Sequence, residues 1–312
     1  MAVHIDVIQI GAAASLGSVR QAAAGKNNFF AGRAAAQKGL RYDSKTRLRK
    51  ISALFSENKS EDRQETKPWH FQEPQRRGKT RAGGAILQTR LSGTTYSLIG
   101  LPKYKKMEDL KGGTRLAMSG ITSAAALMMK QMLKERGVLY PRDYSLLSIG
   151  GSTTQFTALQ SGQVDGALLA QPLSIMAVEQ GFSNLGDAYK LMPDYQLSAI
   201  GVREGWAQKN RSVVVRYLKA LVSTYRWLHD NREEAIKILP AITKLEPKYI
   251  AKSWETYTQT QIWPRNGGVN LKGVQTVLNL IAEEGMIKKP LPKPEDIVDA
   301  SFLDEARKAL PR

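Results

Sequence analysis

Within residues 115–172 one pattern occurs three times: a short apolar run, a break of small polar residues, then a segment with helical spacing. Residues 115–118 break at Ser119-Gly120-Ile121-Thr122-Ser123 and pass into 124–136. Residues 146–149 break at Gly150-Gly151-Ser152-Thr153-Thr154 before 155–161, and residues 164–170 break at Gln171-Pro172 before 173–180. Strand, loop and helix alternating over so short a stretch imply a parallel sheet with helices on its faces. In such a sheet the C-terminal ends of the strands meet helix N-termini across short loops, so free N–H groups and hydroxyls converge on one edge. That edge is where a ligand is expected.

The chain has 312 residues, enough for two domains or one fold of two lobes, and 42% hydrophobic residues supply ordinary cores. Nothing resembles a run of about 18 apolar residues, so no membrane insertion is expected. The start, Met1-Ala2-Val3-His4-Ile5-Asp6, has neither the basic nor the apolar region of a secretory signal peptide. Zero Cys removes disulfides, thiol nucleophiles and Cys-ligated metals, and the three His, at 4, 70 and 229, form no local metal signature. The net charge of +18 raises the question of a polyanionic partner, and its distribution answers part of it. Residues 1–95 carry about 17 Lys/Arg against 7 Asp/Glu, so the excess is concentrated at the front of the chain.

In chain order, residues 4–10 alternate as a strand and 12–24 have helical spacing, with another short helix at 31–40. Residues 41–84 are rich in Lys, Arg, Gln, Glu and Ser and are expected to be disordered. Residues 94–100 form a β-prone run, 107–113 a short helical turn with a Gly-rich bend, and 182–186 lead through a loop to a second β-prone run at 196–203. Val214, Tyr217, Leu218, Leu221, Tyr225 and Leu228 make the apolar stripe of a helix of about 18 residues ending near Asp230-Asn231. Further helices are expected at 232–239, 247–256, 271–284 and 302–310.

Each candidate motif has a structural reading and a functional one. The Ser/Thr/Gly loops either cap the helices that follow them or bind an anionic or polar ligand through the same N–H groups. Gln171-Pro172 places a Pro in a first helical turn, and a Gln at a strand end that is able to hydrogen-bond a ligand. Neither Gly-containing loop has the spacing of a phosphate-binding or dinucleotide fingerprint. Trp206, Trp227, Trp254 and Trp263, with Tyr225 and Tyr257, suit helix packing or groove lining, with ligand stacking as their functional alternative, and His229 suits a polar helix end. The adjacent pairs Glu233-Glu234 and Glu283-Glu284 point apart on a helix and form no carboxylate dyad. The basic residues between 41 and 81 include acids and few aromatics, which favours a solvated stretch over a phosphate grip.

A family resemblance follows from Glu108-Asp109-Leu110-Lys111-Gly112, Ser119-Gly120 opening a helix, Gly137 with Pro141-Arg142-Asp143-Tyr144, Ile149-Gly150-Gly151, and the run from Ala158 to Asp165. With Gly181-Phe182, Arg216-Tyr217-Leu218-Lys219-Ala220-Leu221, Asp230-Asn231-Arg232-Glu233-Glu234-Ala235 and Asp299-Ala300-Ser301-Phe302-Leu303, residues 94–312 resemble the nitrate/sulfonate/taurine class of ABC-transporter substrate-binding proteins. The resemblance implies an α/β, two-lobed periplasmic-binding-protein fold of type II character. Residues 1–94 would be a partial first lobe, 95–101 and 196–203 hinge crossovers, 102–195 the second lobe, and 204–312 the return to the first lobe. The family's first strand and helix are not matched, so the first lobe is expected to be incomplete.

By position, the resemblance assigns ligand contacts to Ser119, Gly120, Thr122, Ser152, Thr153 and Gln171. It implies a non-enzymatic, monomeric protein of the periplasm that holds a small polar or anionic organic ligand and delivers it to an ABC permease, with no cofactor, metal, nucleic acid or catalytic residue. Two alternatives stand beside it. The same fold resembles pyrimidine synthases of thiamine biosynthesis, against which zero Cys counts, and the basic front of the chain would serve nucleic-acid binding.

Overall fold

A computed structural model of the chain describes residues 84–311. The expectations for residues 4–24, 31–40 and 41–83 lie outside the described residues. The described chain begins with β1 (Gly84–Leu91), which the sequence pattern did not reveal, and β2 (Tyr96–Gly100). The three repeated units follow as β3 (Thr114–Met118) and α1 (Ala124–Lys134), β4 (Tyr144–Ser148) and α2 (Ser152–Gln160), β5 (Gly166–Ala170) and α3 (Leu173–Glu179).

These strands lie in a five-stranded sheet of order β4-β3-β5-β2-β6, where β6 is Ser183–Asp187. Parallel pairing holds for β3 with β4 and with β5. The sheet as a whole is mixed, because β2 is antiparallel to both β5 and β6, with Tyr96 opposite Ala170 and Gly100 opposite Gly166. No crossover helix precedes β2, so it is free of the geometry that forces the three units to run parallel. Residues 182–186, to which the sequence pattern gave no element, supply most of the edge strand β6, which is bent by a register shift opposite Leu98 and Ile99.

Why the strands read as continuous apolar runs is now clear. Leu116 and Met118 of β3, Leu98 of β2 and Leu168 of β5 join one core with Met128, Met129, Met132 and Leu133 of α1. The alternate residues Ala117, Ile99, Ala167 and Leu169 join a second core, on the other face, with Phe156 and Leu159 of α2. A strand covered on both faces has no polar side to alternate with.

Beyond the sheet come α4 (Ala188–Leu191) and β7 (Ser198–Arg203), which pairs with β1 alone as a separate antiparallel ribbon. The remainder is helical: α5 (Glu204–Lys209), α6 (Arg211–Asp230), α7 (Arg232–Thr243), α8 (Pro247–Gln259), α9 (Leu271–Glu283), α10 (Pro294–Ile297) and α11 (Ser301–Lys308). The predicted stripe on α6 is buried at Val214, Leu218, Tyr225 and Leu228. Its first half packs on Phe302 and Leu303 of α11, and its second half on α7 and α8 with Trp227 and Trp254. α9 turns back to the sheet, where Val277 and Leu280 enter the core of Leu116 and Met128.

Candidate ligand-binding groove

All six residues expected to bind ligand sit on the connections that leave the C-terminal ends of β3, β4 and β5. After β3, Ser119 and Gly120 are half-buried and Thr122 is exposed. The helix that follows is capped by another residue, Ser123, whose Oγ accepts from the Ala126 N–H at 3.2 Å. Capping therefore makes no demand on the Ser119 and Thr122 hydroxyls. The Ser119 carbonyl accepts from Ser148 Oγ at 3.3 Å, tying this loop to the end of β4.

After β4 the chain turns at Gly150, whose φ of 102° lies in the left-handed region that a side chain disfavours. α2 begins at Ser152, three residues before the helical pattern becomes visible, with Gly151 at its N-cap. Gly151 has no side chain to close the first turn, so Ser152 and Thr153 are first-turn residues at an uncapped helix start. Thr153 is exposed, whereas Ser152 is buried. The Ser152 Oγ accepts from the Ala170 N–H at 3.4 Å and hydrogen-bonds the Tyr96 hydroxyl.

After β5, the Gln171 N–H donates to the Thr95 carbonyl at 3.1 Å, and a cis peptide leads to Pro172. The Gln171 Oε1 is fully covered and has no hydrogen-bond partner among the described residues. Ser152 and Gln171 thus meet around the Tyr96–Ala170 pair, while Ser119, Gly120 and Thr122 stay on the neighbouring loop and Thr153 faces outward.

Two of the aromatic residues singled out in the sequence, Tyr257 and Trp263, lie next to this edge. The Tyr257 hydroxyl of α8 lies 2.8 Å from Thr95 Oγ1, and its ring lies 4.6 Å from that of Trp263. Trp263 is fixed in turn by its carbonyl, which accepts from His229 Nε2 at 2.7 Å. The expected packing role of the aromatic residues holds for Trp254, whose indole donates to the Leu228 carbonyl at 2.8 Å. Tyr257 differs in reaching across to β2. At the other end of α8, Lys252 and Lys248 approach Glu179 of α3 at 2.6 and 3.2 Å.

Electrostatically the two ends differ. Burial pushes the Tyr96 phenol well above its ordinary range, nearby Tyr257 adds to the shift, and the Ser152 hydrogen bond only partly opposes it. The hydroxyl is therefore a neutral donor and acceptor at any ordinary pH. Glu179 is drawn down to about 2, first by Lys252, then by Lys248 and by a hydrogen bond from Tyr249. Hydroxyls, an amide oxygen and backbone amides of this kind are able to orient a polar ligand by hydrogen bonds, and none of them is an activated nucleophile. Among the described residues no group of three or more His, Asp and Glu is placed to hold a metal ion, and no helix is long and apolar enough to cross a membrane.

A recess of about 510 Å³ lies elsewhere, lined by Ser223, Arg226, Asp230, Arg265 and Asn266. Its cations are engaged within the recess: Arg265 meets Asp230 at 2.6 and 3.0 Å, and Arg226 Nε donates to the neutral Asn266 side chain at 2.9 Å.

Residues 94–240 match the model of the NMT1-like family. Among curated proteins, no sequence match is found. In structure the chain resembles the periplasmic nitrate-binding protein NrtA from Synechocystis PCC 6803, with a TM-score of 0.63 at 17% identity over 73% of this chain and 68% of that one. It also resembles the alkanesulfonate-binding protein SsuA from Xanthomonas axonopodis pv. citri bound to MOPS, with a TM-score of 0.55 at 18% identity over 70% and 74%. A third similar structure is DSZB in complex with biphenyl-2-sulfinic acid, with a TM-score of 0.53 at 15% identity over 73% and 80%. The α/β fold is that of the periplasmic binding proteins.

Proposed function

We propose that this chain, having the fold of the periplasmic nitrate- and sulfonate-binding proteins, is the solute-binding component of an ABC importer. It captures a small polar or anionic organic ligand in the groove between the sheet edge and α8, and presents it to a membrane permease from the periplasm. Residues 95–101 and 196–203 serve as the crossovers about which the groove closes, with 102–195 as one lobe and the 204–312 return belonging to the other. Ser119, Gly120, Thr122, Ser152, Thr153 and Gln171 supply its contacts on the sheet side. The protein binds without transforming what it holds.

The observation that carries this reading is Gln171: a buried amide oxygen without a partner, at the sheet edge where ligands of open α/β sheets bind, beside the hydroxyl cluster of Tyr96, Ser152 and Thr95. A thermal-shift screen of sulfonates, nitrate, small carboxylates and pyrimidines tests it. A true ligand at 100 times its dissociation constant adds about 2.7 kcal/mol to the folded state and is visible as a higher melting temperature. The shift should shrink in Tyr96→Phe, and the ligand should be recovered chemically unchanged. A panel that leaves the melting temperature where it was, or a ligand that returns as a different compound, counts against the reading.

A further inference from the structure

α8 approaches the sheet in a different way from α9. α9 enters a core of the sheet through Val277 and Leu280. Among the described residues, none of α8 belongs to either core of the sheet. Its Trp254 packs instead with Tyr225, Leu228 and Ala235, on α6 and α7. Toward α3 it offers charge. Lys252 Nζ lies 2.6 Å from one carboxyl oxygen of Glu179 and Lys248 Nζ 3.2 Å from the other, and the Tyr249 hydroxyl donates to the same carboxyl. Lys248 and Lys252 are one turn apart on α8, so both ammonium groups face the same way.

Two features of Glu179 suit a contact that opens and closes. It is the last residue of α3, where the partial negative charge of the helix end opposes a carboxylate. Its own helix therefore does nothing to hold the charge, and the cations of α8 do. The side chains of Glu179, Lys248 and Lys252 also remain 31%, 53% and 55% exposed. Apolar side chains part only by exposing surface to water, whereas ions that water already reaches exchange one another for solvent at little cost.

We propose that Glu179, Lys248 and Lys252 form an ionic latch: paired, they hold α8 against α3, and parted, they let α8 swing from the sheet together with α6 and α7. Tyr257 meets Thr95 within the 95–101 crossover, so that contact lies at the pivot and Glu179 at the moving end. The inference rests on the closing groove proposed above and names the contact that governs its opening. Because the latch is ionic, dissolved salt regulates it, the screening length falling from about 30 Å at about 0.01 M to about 3 Å at about 1 M.

The chain has no Cys, so Thr157→Cys on α2 and Gln259→Cys at the end of α8, both exposed, take spin labels specifically. Pulsed electron spin resonance on the full labelled chain, with no ligand added, reads the separation of α8 from the sheet. Going from about 0.01 M to about 1 M sodium chloride should raise the long-separation fraction at least about twofold, the scale of one exposed ion pair. Glu179→Lys should do the same at low salt. Glu179→Lys combined with Lys248→Glu and Lys252→Glu should restore the short separation. A separation that ignores both salt and Glu179→Lys overturns the latch, as does a triple variant that melts like the parent and stays open. The salt series needs no substitution at the latch, so it decides the matter even where a variant fails to fold. No ligand enters the measurement: a fixed separation removes the latch while the binding reading stands, and a ligand screen without hits removes the binding reading whatever the separation does.

Discussion

At the level of single residues, position outweighs type. Gly273 lies in the first turn of α9, where a helix propensity scale favours Ala over Gly by up to about 1 kcal/mol. A Cβ built there would lie 2.7 Å from the Gln196 backbone nitrogen, and that backbone is held in place by the Gln196 side chain, which accepts from the Asn270 N–H at 3.2 Å and donates to the Ser198 carbonyl at 2.7 Å. Gly273→Ala should therefore destabilise the protein, by about 1–3 kcal/mol, and urea unfolding measures it. An unchanged or higher midpoint would refute the close approach. The same asymmetry governs what the sequence revealed. The Ser/Thr-rich loops disclosed a polar sheet edge, because small polar residues between periodic segments have a local signature. Which hydroxyl caps a helix and which stays available depends on one turn of backbone, so Ser123 and Ser119 looked alike until their partners were known.

Among elements, the long helices were legible, whereas the short helices α4, α5 and α10 and two strands were not. α6 announced itself through an apolar stripe over about four turns, and α7, α8, α9 and α11 through shorter stretches of the same spacing. β1 borders a basic stretch that gave no strand signal, and it is a strand by virtue of pairing with β7. β6, Ser183–Asp187, contains Asn and Gly and is held by β2 rather than by its own preference. The α3–α8 contact is likewise tertiary, and it makes a prediction about acid. Because the Glu179 carboxyl titrates lower in the folded chain than in the unfolded one, the contact contributes fully above the ordinary Glu value of about 4.3 and is lost as pH falls toward about 2. Carboxyl chemical shifts followed by NMR should place its midpoint near 2, first of all through Lys252. Lys252→Met should move the midpoint upward, and a midpoint already near 4.3 in the parent protein would remove the bridge from the description.

For the molecule as a whole, the central strands should be its most resistant part. β3 and β5 are flanked on both sides, and Leu116, Ala117, Leu168 and Leu169 are completely buried. Hydrogen exchange should find their amides opening only with the whole sheet, later than those in β4 and β6 at its two edges. Uniform exchange across all five strands would contradict this order. The return of α9 to the sheet has one more implication. Val277 and Leu280 complete a core begun at Tyr96 and Leu98, and Lys130 and Lys134 of α1 meet Glu284 and Glu283 at 2.8 and 3.1 Å. On the ribosome the sheet's own residues emerge some hundred positions before the helix that roofs them. At about 5–20 residues per second, the part of that face which α1 does not cover waits several seconds for Val277 and Leu280. A nascent chain of this kind has to be shielded during that interval, so the last third of the sequence acts as the timer of its folding.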